Sequence, residues 1–263
     1  MGELWFVGAG LCDERDLSRR AIELLRTCSP IFSESYTSQL APGSLDRLAQ
    51  ELGRPIVRLT RVELESEAPV LRALTGSSRV ALIVPGDPFA ATTHVSLRES
   101  AQSAGHTWRY LPNASITAAA PGFLGLMGYR FGRVTSLPIP EPGFAPASPL
   151  EAIRSNRSIG LHTLVLLDLR PDEGRFLSAS EGLRLLRARD PDGGAVPLEA
   201  EVAVVARVGS DTAFGWFGRR EDLERLDFGP PLHAIVVPAP ELHFGERNAL
   251  ERFRVRTAPA APR

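Results

Sequence analysis

Apolar runs and segments of helical period alternate along the first 111 residues. ELWFVG (3–8) is a short apolar run ending in glycine, the pattern of a buried strand. In DLSRRAIELLRTC (16–28), Leu17, Ala21, Leu24, Leu25 and Cys28 recur at helical spacing, with Asp16 as the expected N-cap. PIFSES (30–35) predicts a second strand and PIVRL (55–59) a third. Between them SLDRLAQELG (44–53) predicts a helix opened by Ser44 and closed by Gly53. A helix within 62–75, a strand at RVALIVPG (79–86), a helix from Thr92 to Gly105 and a strand at TWRYL (107–111) complete the series. Such alternation specifies a mostly parallel sheet with helices on its faces.

The rhythm breaks after Asn113. SITAAAPGFLGLMGYRFG (115–132) is rich in small residues. SLPIPEPGFAPASP (136–149) carries five prolines, which fit neither a helix interior nor a central strand, so it reads as an extended connector. Strand and helix then resume: LHTLVLLDL (161–169) is a buried strand, SASEGLRLLRAR (178–189) a helix, and EVAVVARVG (201–209) and HAIVVP (233–238) are strands. The expected fold class is α/β, with two α/β domains at 1–112 and 113–263, the second holding the 136–149 connector. RFRVR (252–256) reads as an edge strand with a solvated arginine face, and TAPAAPR (257–263) as a disordered tail. No internal repeat is present.

Composition narrows the function classes. Thirty basic against 31 acidic residues in 263 leave a net charge of −1, which argues against a nucleic-acid-binding face. Every basic residue is arginine, so a lysine Schiff base or lysine general base is ruled out. Cys12 and Cys28 have neither metal-site spacing nor a disulfide framework. The N-terminus MGELWFVGAGL has no basic residue and a glycine-broken apolar run, unlike a signal peptide, and no stretch reaches the roughly 18 apolar residues of a membrane span. A soluble, cytoplasmic protein is expected.

Two glycine turns follow strands. VGAGLCD (7–13) suggests a dinucleotide fingerprint, but Asp13 stands where the third glycine is required for close helix packing. VPGDPFAATTH (84–94) lacks GK[ST], and its one charge, Asp87, would repel phosphate. Asp87 either forms the turn alone or accepts hydrogen bonds from a ribose or an ammonium. Amides of the following helix would then serve a carboxylate, a combination that suits a zwitterionic nucleoside. His94, His106, His162, His233 and His243 are scattered without metal spacing, each readable as a structural histidine, and no nucleophile elbow occurs.

GAGL (8–11), ESYTS (34–38), GDPFAATTH (86–94), PNASI (112–116), GLMGYRFG (125–132), GLHTLVLLDL (160–169), ARVGSD (206–211), PPLHAIVVP (230–238) and LHF (242–244) together resemble the diphthine synthase family of tetrapyrrole methylases, in family order over nearly the whole chain. The resemblance implies two α/β domains with S-adenosylmethionine in the cleft between them, and a homodimer. It implies donor contacts at Leu11, Asp87, Ala90, Ser115, Ile116, Leu166, Val208 and His233, with no metal and no assigned catalytic residue. It further implies that the protein substrate is translation elongation factor 2, methylated on the amino group of a modified histidine. An aliphatic amine beside a carboxylate has a pKa of about 8, so methyl transfer needs positioning more than a strong base. A corrin-precursor or ribosomal-RNA methyltransferase of the same superfamily, and a nucleoside-binding module without catalysis, are the competing readings.

Overall fold

Five parallel strands form the first sheet of the computed structural model, which describes residues 1–34, 36–76, 79–197 and 199–255. The chain divides into two compact units, Met1–Ile116 with Pro171–Glu173, and Thr117–Arg170 with Gly174–Arg263.

In the first unit β1 (Glu3–Gly8), α1 (Arg19–Leu25), β2 (Ile31–Glu34), α2 (Ser44–Leu52), β3 (Ile56–Leu59), α3 (Arg61–Glu65), α4 (Ala68–Gly76), β4 (Arg79–Val84), α5 (Val95–Ser103) and β5 (Thr107–Leu111) follow in order. The sheet order is β3-β2-β4-β1-β5. Burial on both faces explains the near-continuous apolar runs. Val7, Ala81 and Ile83 pack with Leu25 of α1 and Leu48 of α2, while Leu4, Phe6 and Leu82 pack with Leu74 of α4 and Leu97 of α5. The helices after the neighbouring strands β1 and β4 thus cover opposite faces. The chain leaves those two strands toward opposite faces, which is the switch point where open α/β sheets hold ligands.

The second unit contains α6 (Ile116–Leu124, starting at the unit boundary), β6 (Thr135–Leu137), α7 (Ser148–Ser158), β7 (Thr163–Leu167), the hairpin of β8 (Leu169–Arg170) and β9 (Arg175–Phe176), α8 (Ala179–Arg189), β10 (Glu201–Ala206), β11 (Phe214–Arg219), α9 (Arg220–Leu223), β12 (His233–Val237) and α10 (Phe244–Glu251). Its sheet, β11-β10-β12-β7-β6, is antiparallel except for the β6–β7 pair. Val165, Leu167, Val202, Val204, Ile235 and Val237 face Ile153 of α7 and Leu183 and Leu186 of α8. Gly182 lets α8 press on this face, since a Cβ there would stand 2.9 Å from Leu167 Cδ2.

Several sequence expectations are corrected. The cap of α1 is Ser18, whose hydroxyl accepts from Ala21 N–H, because the Asp16 carboxylate is engaged elsewhere. The helix expected within 62–75 is two, α3 and α4, separated by Glu67 at φ 59°. The helix expected from Thr92 to Gly105 is shorter: Ala91 adopts φ 59° and α5 begins only at Val95. The proline-rich segment contains part of β6 and the first residues of α7, where Pro149 sits in the helix's first turn and no N–H partner is lost. Arg254 forms one bridge to Phe217 rather than part of a strand, Arg256 lies outside the described residues, and so does the TAPAAPR tail.

Candidate functional site

The loops leaving β1, β4 and β5 meet at the carboxyl edge of the parallel sheet. Gly10 and Gly86 pair backbone to backbone, with Gly86 N–H on Gly10 O at 2.7 Å and Gly10 N–H on Gly86 O at 3.2 Å. Gly10 adopts φ 81° and Gly86 φ 73°, open to glycine at no steric cost. A Cβ on Gly8 would lie 2.7 Å from Asn113 Cβ and 2.8 Å from Gly86 O, so the three loops touch there. Side chains fasten this contact. Asp16 Oδ2 accepts from the amides of Leu11 (2.9 Å) and Cys12 (2.7 Å). Asn113 Nδ2 donates to Gly8 O and Asp16 O, both at 3.0 Å. Asp13, which replaces the glycine of a dinucleotide fingerprint, instead caps the short turn that follows it.

Asp87 is 9% exposed and already well supplied with donors. Its Oδ1 accepts from Phe89 N–H at 3.0 Å, and its Oδ2 accepts from Asn113 N–H at 3.3 Å and from the Tyr110 hydroxyl. Burial, reinforced by that carboxylate, pushes the Tyr110 phenol well above its ordinary range. A carboxylate offers about four lone-pair sites. Three are filled internally, leaving capacity for one further donor. Ala90 is half-buried in the same loop with its N–H on Asp87 O. Ser115 is buried and Ile116 half-buried beyond Asn113. The five residues expected in this unit therefore lie on three mutually bonded loops at one sheet edge.

In the second unit Leu166, Val208 and His233 gather at one end of β7, β10 and β12. Leu166 is opposite Ala234, His233 is opposite Ala206, and Val208 lies two residues past the end of β10. Leu166 stands on the face that α7 and α8 do not cover. The His233 ring is engaged internally. Nδ1 accepts from Ala179 N–H at 3.3 Å and the protonated Nε2 donates to Pro230 O at 3.0 Å, while burial lowers the ring's pKa.

Three groups escaped the sequence reading. Asn113 and Tyr110 act through partners up to 105 residues away, and only the PNASI motif gave a hint of the first. In the second unit, buried Glu246 accepts from Arg130, from Met127 N–H (3.0 Å) and from His162 Nε2–H (3.0 Å), and it completes the cap of α10. His162 Nδ1 accepts from Ala239 N–H at 2.8 Å. This knot joins the GYRFG, GLHT and LHF motifs. Among the described residues no three His, Cys, Asp or Glu side chains form a metal-binding group, and no helix is long and apolar enough to cross a membrane.

The chain thus has a two-unit α/β architecture with a glycine-lined switch point and a buried acid beside it. The family model for Tetrapyrrole (Corrin/Porphyrin) Methylases matches residues 3–223. Diphthine synthase of Methanothermobacter thermautotrophicus is 40% identical over 250 residues, 94% of each chain. That of Methanoregula boonei is 37% identical over 95% of this chain and 98% of its own. A crystal structure of diphthine synthase superposes with a TM-score of 0.87 at 35% identity, covering 96% of each chain. The chain belongs to the tetrapyrrole methylase family and, within it, to the diphthine synthase group. It is accordingly an S-adenosylmethionine-dependent methyltransferase of diphthamide biosynthesis.

The first unit's loops fit that donor. At Gly86 the space a Cβ would enter is open, with Ala114 O at 3.9 Å the nearest neighbour. Beside it stand a carboxylate with a free lone-pair site and the half-buried apolar Leu11 and Ile116. An acid and apolar walls, with no lysine, suit an ammonium, a ribose and a purine, and disfavour a polyphosphate.

Proposed function

We propose that the protein transfers a methyl group from S-adenosylmethionine to the amino group of a modified histidine on translation elongation factor 2. The observation that carries the donor half is the bonded pair of loops at the β1/β4 switch point, with Asp87 next to Gly86 on the β4 loop. The donor supplies an electrophilic methyl; the chain's own residues hold and orient it. In this reading Asp87 accepts from the donor's ammonium or ribose hydroxyl, Leu11, Ala90, Ser115 and Ile116 line the same loops, and Leu166 and Val208 add apolar surface. His233 contributes through its main chain, since both ring nitrogens are engaged. The acceptor amine, with a pKa of about 8, reaches its neutral form without a dedicated base. The resemblance further supports a homodimer, the sequence pattern supports a cytoplasmic location, and the near-neutral charge speaks against an RNA substrate.

Purified protein, S-adenosylmethionine and elongation factor 2 carrying the unmethylated precursor should give a mass increase of one or more methyl groups on the factor. No mass change overturns the assignment. Asp87→Ala should weaken S-adenosylhomocysteine binding at least tenfold in a calorimetric titration; unaltered affinity would leave Asp87 as a turn residue only.

A further inference from the structure

The turn VGAGLCD (7–13) begins as a dinucleotide fingerprint does but makes different use of its amides. In that fingerprint the glycine turn and the helix start that follows it hold a pyrophosphate. Here α1 begins only at Arg19, which leaves the turn with the amides of Leu11 and Cys12. Successive main-chain N–H groups that converge on one point make a site for an anion. These two do converge, and the atom they meet, at 2.9 and 2.7 Å, is Oδ2 of Asp16.

Asp16 thus fills the place of a phosphate with a charge of the chain's own. Its carboxylate reaches back four and five residues rather than forward to α1, whose cap is Ser18. It lies against the glycine turn: a Cβ on Gly10 would stand 2.4 Å from Asp16 Cβ and 3.0 Å from Oδ2. The acids before it are matched to cations, Asp13 to Arg15 and Glu14 to Arg47. Asp16 forms no ion pair among the described residues, and it is exposed.

The second acid of the switch point stands on the joined loop. Gly10 and Gly86 are bonded backbone to backbone, and Asn113 touches both acidic residues. Its side chain donates to Asp16 O at 3.0 Å and its N–H to Asp87 Oδ2 at 3.3 Å. A sulfonium carrying an ammonium gains from two carboxylates. A phosphate is repelled by them and finds its amides taken.

We propose that Asp16 is a specificity-determining residue of the donor site. By occupying the Leu11 and Cys12 amides with an internal anion, it admits the cationic nucleoside S-adenosylmethionine and excludes adenosine phosphates, which share the adenosine half. The proposal rests on the reading that the β1 and β4 loops hold the donor.

Adenosine and adenosine monophosphate differ by the phosphate alone, so the ratio of their dissociation constants isolates it. In calorimetric titrations the parent should bind the monophosphate more weakly than adenosine. Asp16→Ala frees both amides and removes the charge. The turn's main-chain bonds, Asp16 N–H to Asp13 O and Leu17 N–H to Glu14 O, do not involve the side chain. The ratio should shift at least tenfold toward the monophosphate. A general loosening of the loop weakens both ligands together and leaves the ratio in place, so an unmoved ratio overturns the proposal. Asp16→Asn covers the case of an alanine variant that binds neither ligand. It keeps an oxygen for the amides but loses the charge, and its ratio should shift at least threefold in the same direction; no shift again overturns the proposal. Asp87→Ala separates the two ideas. If it lowers S-adenosylhomocysteine affinity while the Asp16 ratio stays fixed, the donor reading stands and the role of Asp16 falls. If the parent binds neither adenosine nor S-adenosylhomocysteine, the donor reading itself has failed and takes the proposal with it.

Discussion

The two units use buried polar side chains in opposite ways. In the first, Asp16, Asp87 and Asn113 bind main-chain groups of neighbouring loops and shape a rim at the ends of parallel strands. In the second, Arg130, His162 and Glu246 bind one another at the start of β7, while Leu166 and His233 stand at the other end of β7 and β12. Both arrangements use motif residues of the family. Only the first leaves acceptor capacity beside open space. The difference shows that a run of family motif can mark a folding knot as readily as a ligand contact, and that hydrogen-bond accounting tells them apart.

The knot should give the largest effect. Glu246→Ala removes a 1%-exposed carboxylate, takes the carboxylate partner from Arg130, and leaves the His162 ring N–H and two amides without their acceptor. Breaking a buried pair in this way costs about 3–5 kcal/mol. Urea unfolding followed through Trp216, the one tryptophan of this unit, should show that loss. A loss under 1 kcal/mol would mean the knot is not what holds the motifs together.

Gly8→Ala probes the other pattern. Its Cβ would press on Gly86 O and on Asn113, backbone as well as side chain, so the loops must part. Overpacking of this kind costs about 1–3 kcal/mol. S-adenosylhomocysteine affinity should fall at least tenfold while hydrogen exchange in β7 and β12 is unchanged. Unaltered affinity would separate the rim from donor binding.

The units should also respond oppositely to pH. Burial depresses the pKa of His162 and His233, both in the second unit, and raises that of Glu34 in the first. A histidine depressed on folding contributes stability that is present above its unfolded value of about 6.5 and lost as pH falls through the folded value. A glutamate raised on folding contributes stability present below about 4.3 and lost as pH rises through its folded value. From pH 7 to 5, hydrogen exchange corrected for its intrinsic pH dependence should show β7 and β12 losing up to about 1.4 kcal/mol per pH unit for each histidine. Strands β1 and β4 should not lose stability through Glu34, and Glu34→Gln should remove that acid's contribution. Equal losses in both units would break the comparison.

Much of the first unit was legible because the central strands β1, β2 and β4 are largely buried and each helix is buried on one face, so period separates them. The second unit was harder. Proline at the first turn of α7 looks like connector, and β11, FGWFGR, carries two glycines that dilute a strand pattern. Caps were ambiguous for a different reason: Asp16 and Ser18 are both good capping residues, and only the tertiary demand of the Leu11 and Cys12 amides assigns Asp16 elsewhere. Apart from Asp87, which its turn already singled out, the candidate donor contacts came from resemblance rather than from pattern. The residues that hold them, Asn113 and Tyr110, bond across 23 to 105 residues of sequence, and no local signal encodes such a partner.

The smallest expected effect is the sharpest test of how the rim works. Tyr110→Phe removes one donor from Asp87 and leaves those of Phe89 and Asn113 in place. Because Tyr110 is 38% exposed, water can replace its hydroxyl, and the stability cost should be about 1 kcal/mol. If the hydroxyl fixes the carboxylate for the donor, S-adenosylhomocysteine affinity should fall severalfold with the fold otherwise unchanged. If Asp87 serves the turn alone, stability should fall by the same amount and affinity should not move. Side-chain hydrogen bonds would then do in the first unit what they do in the second, and the contrast between rim and knot would disappear.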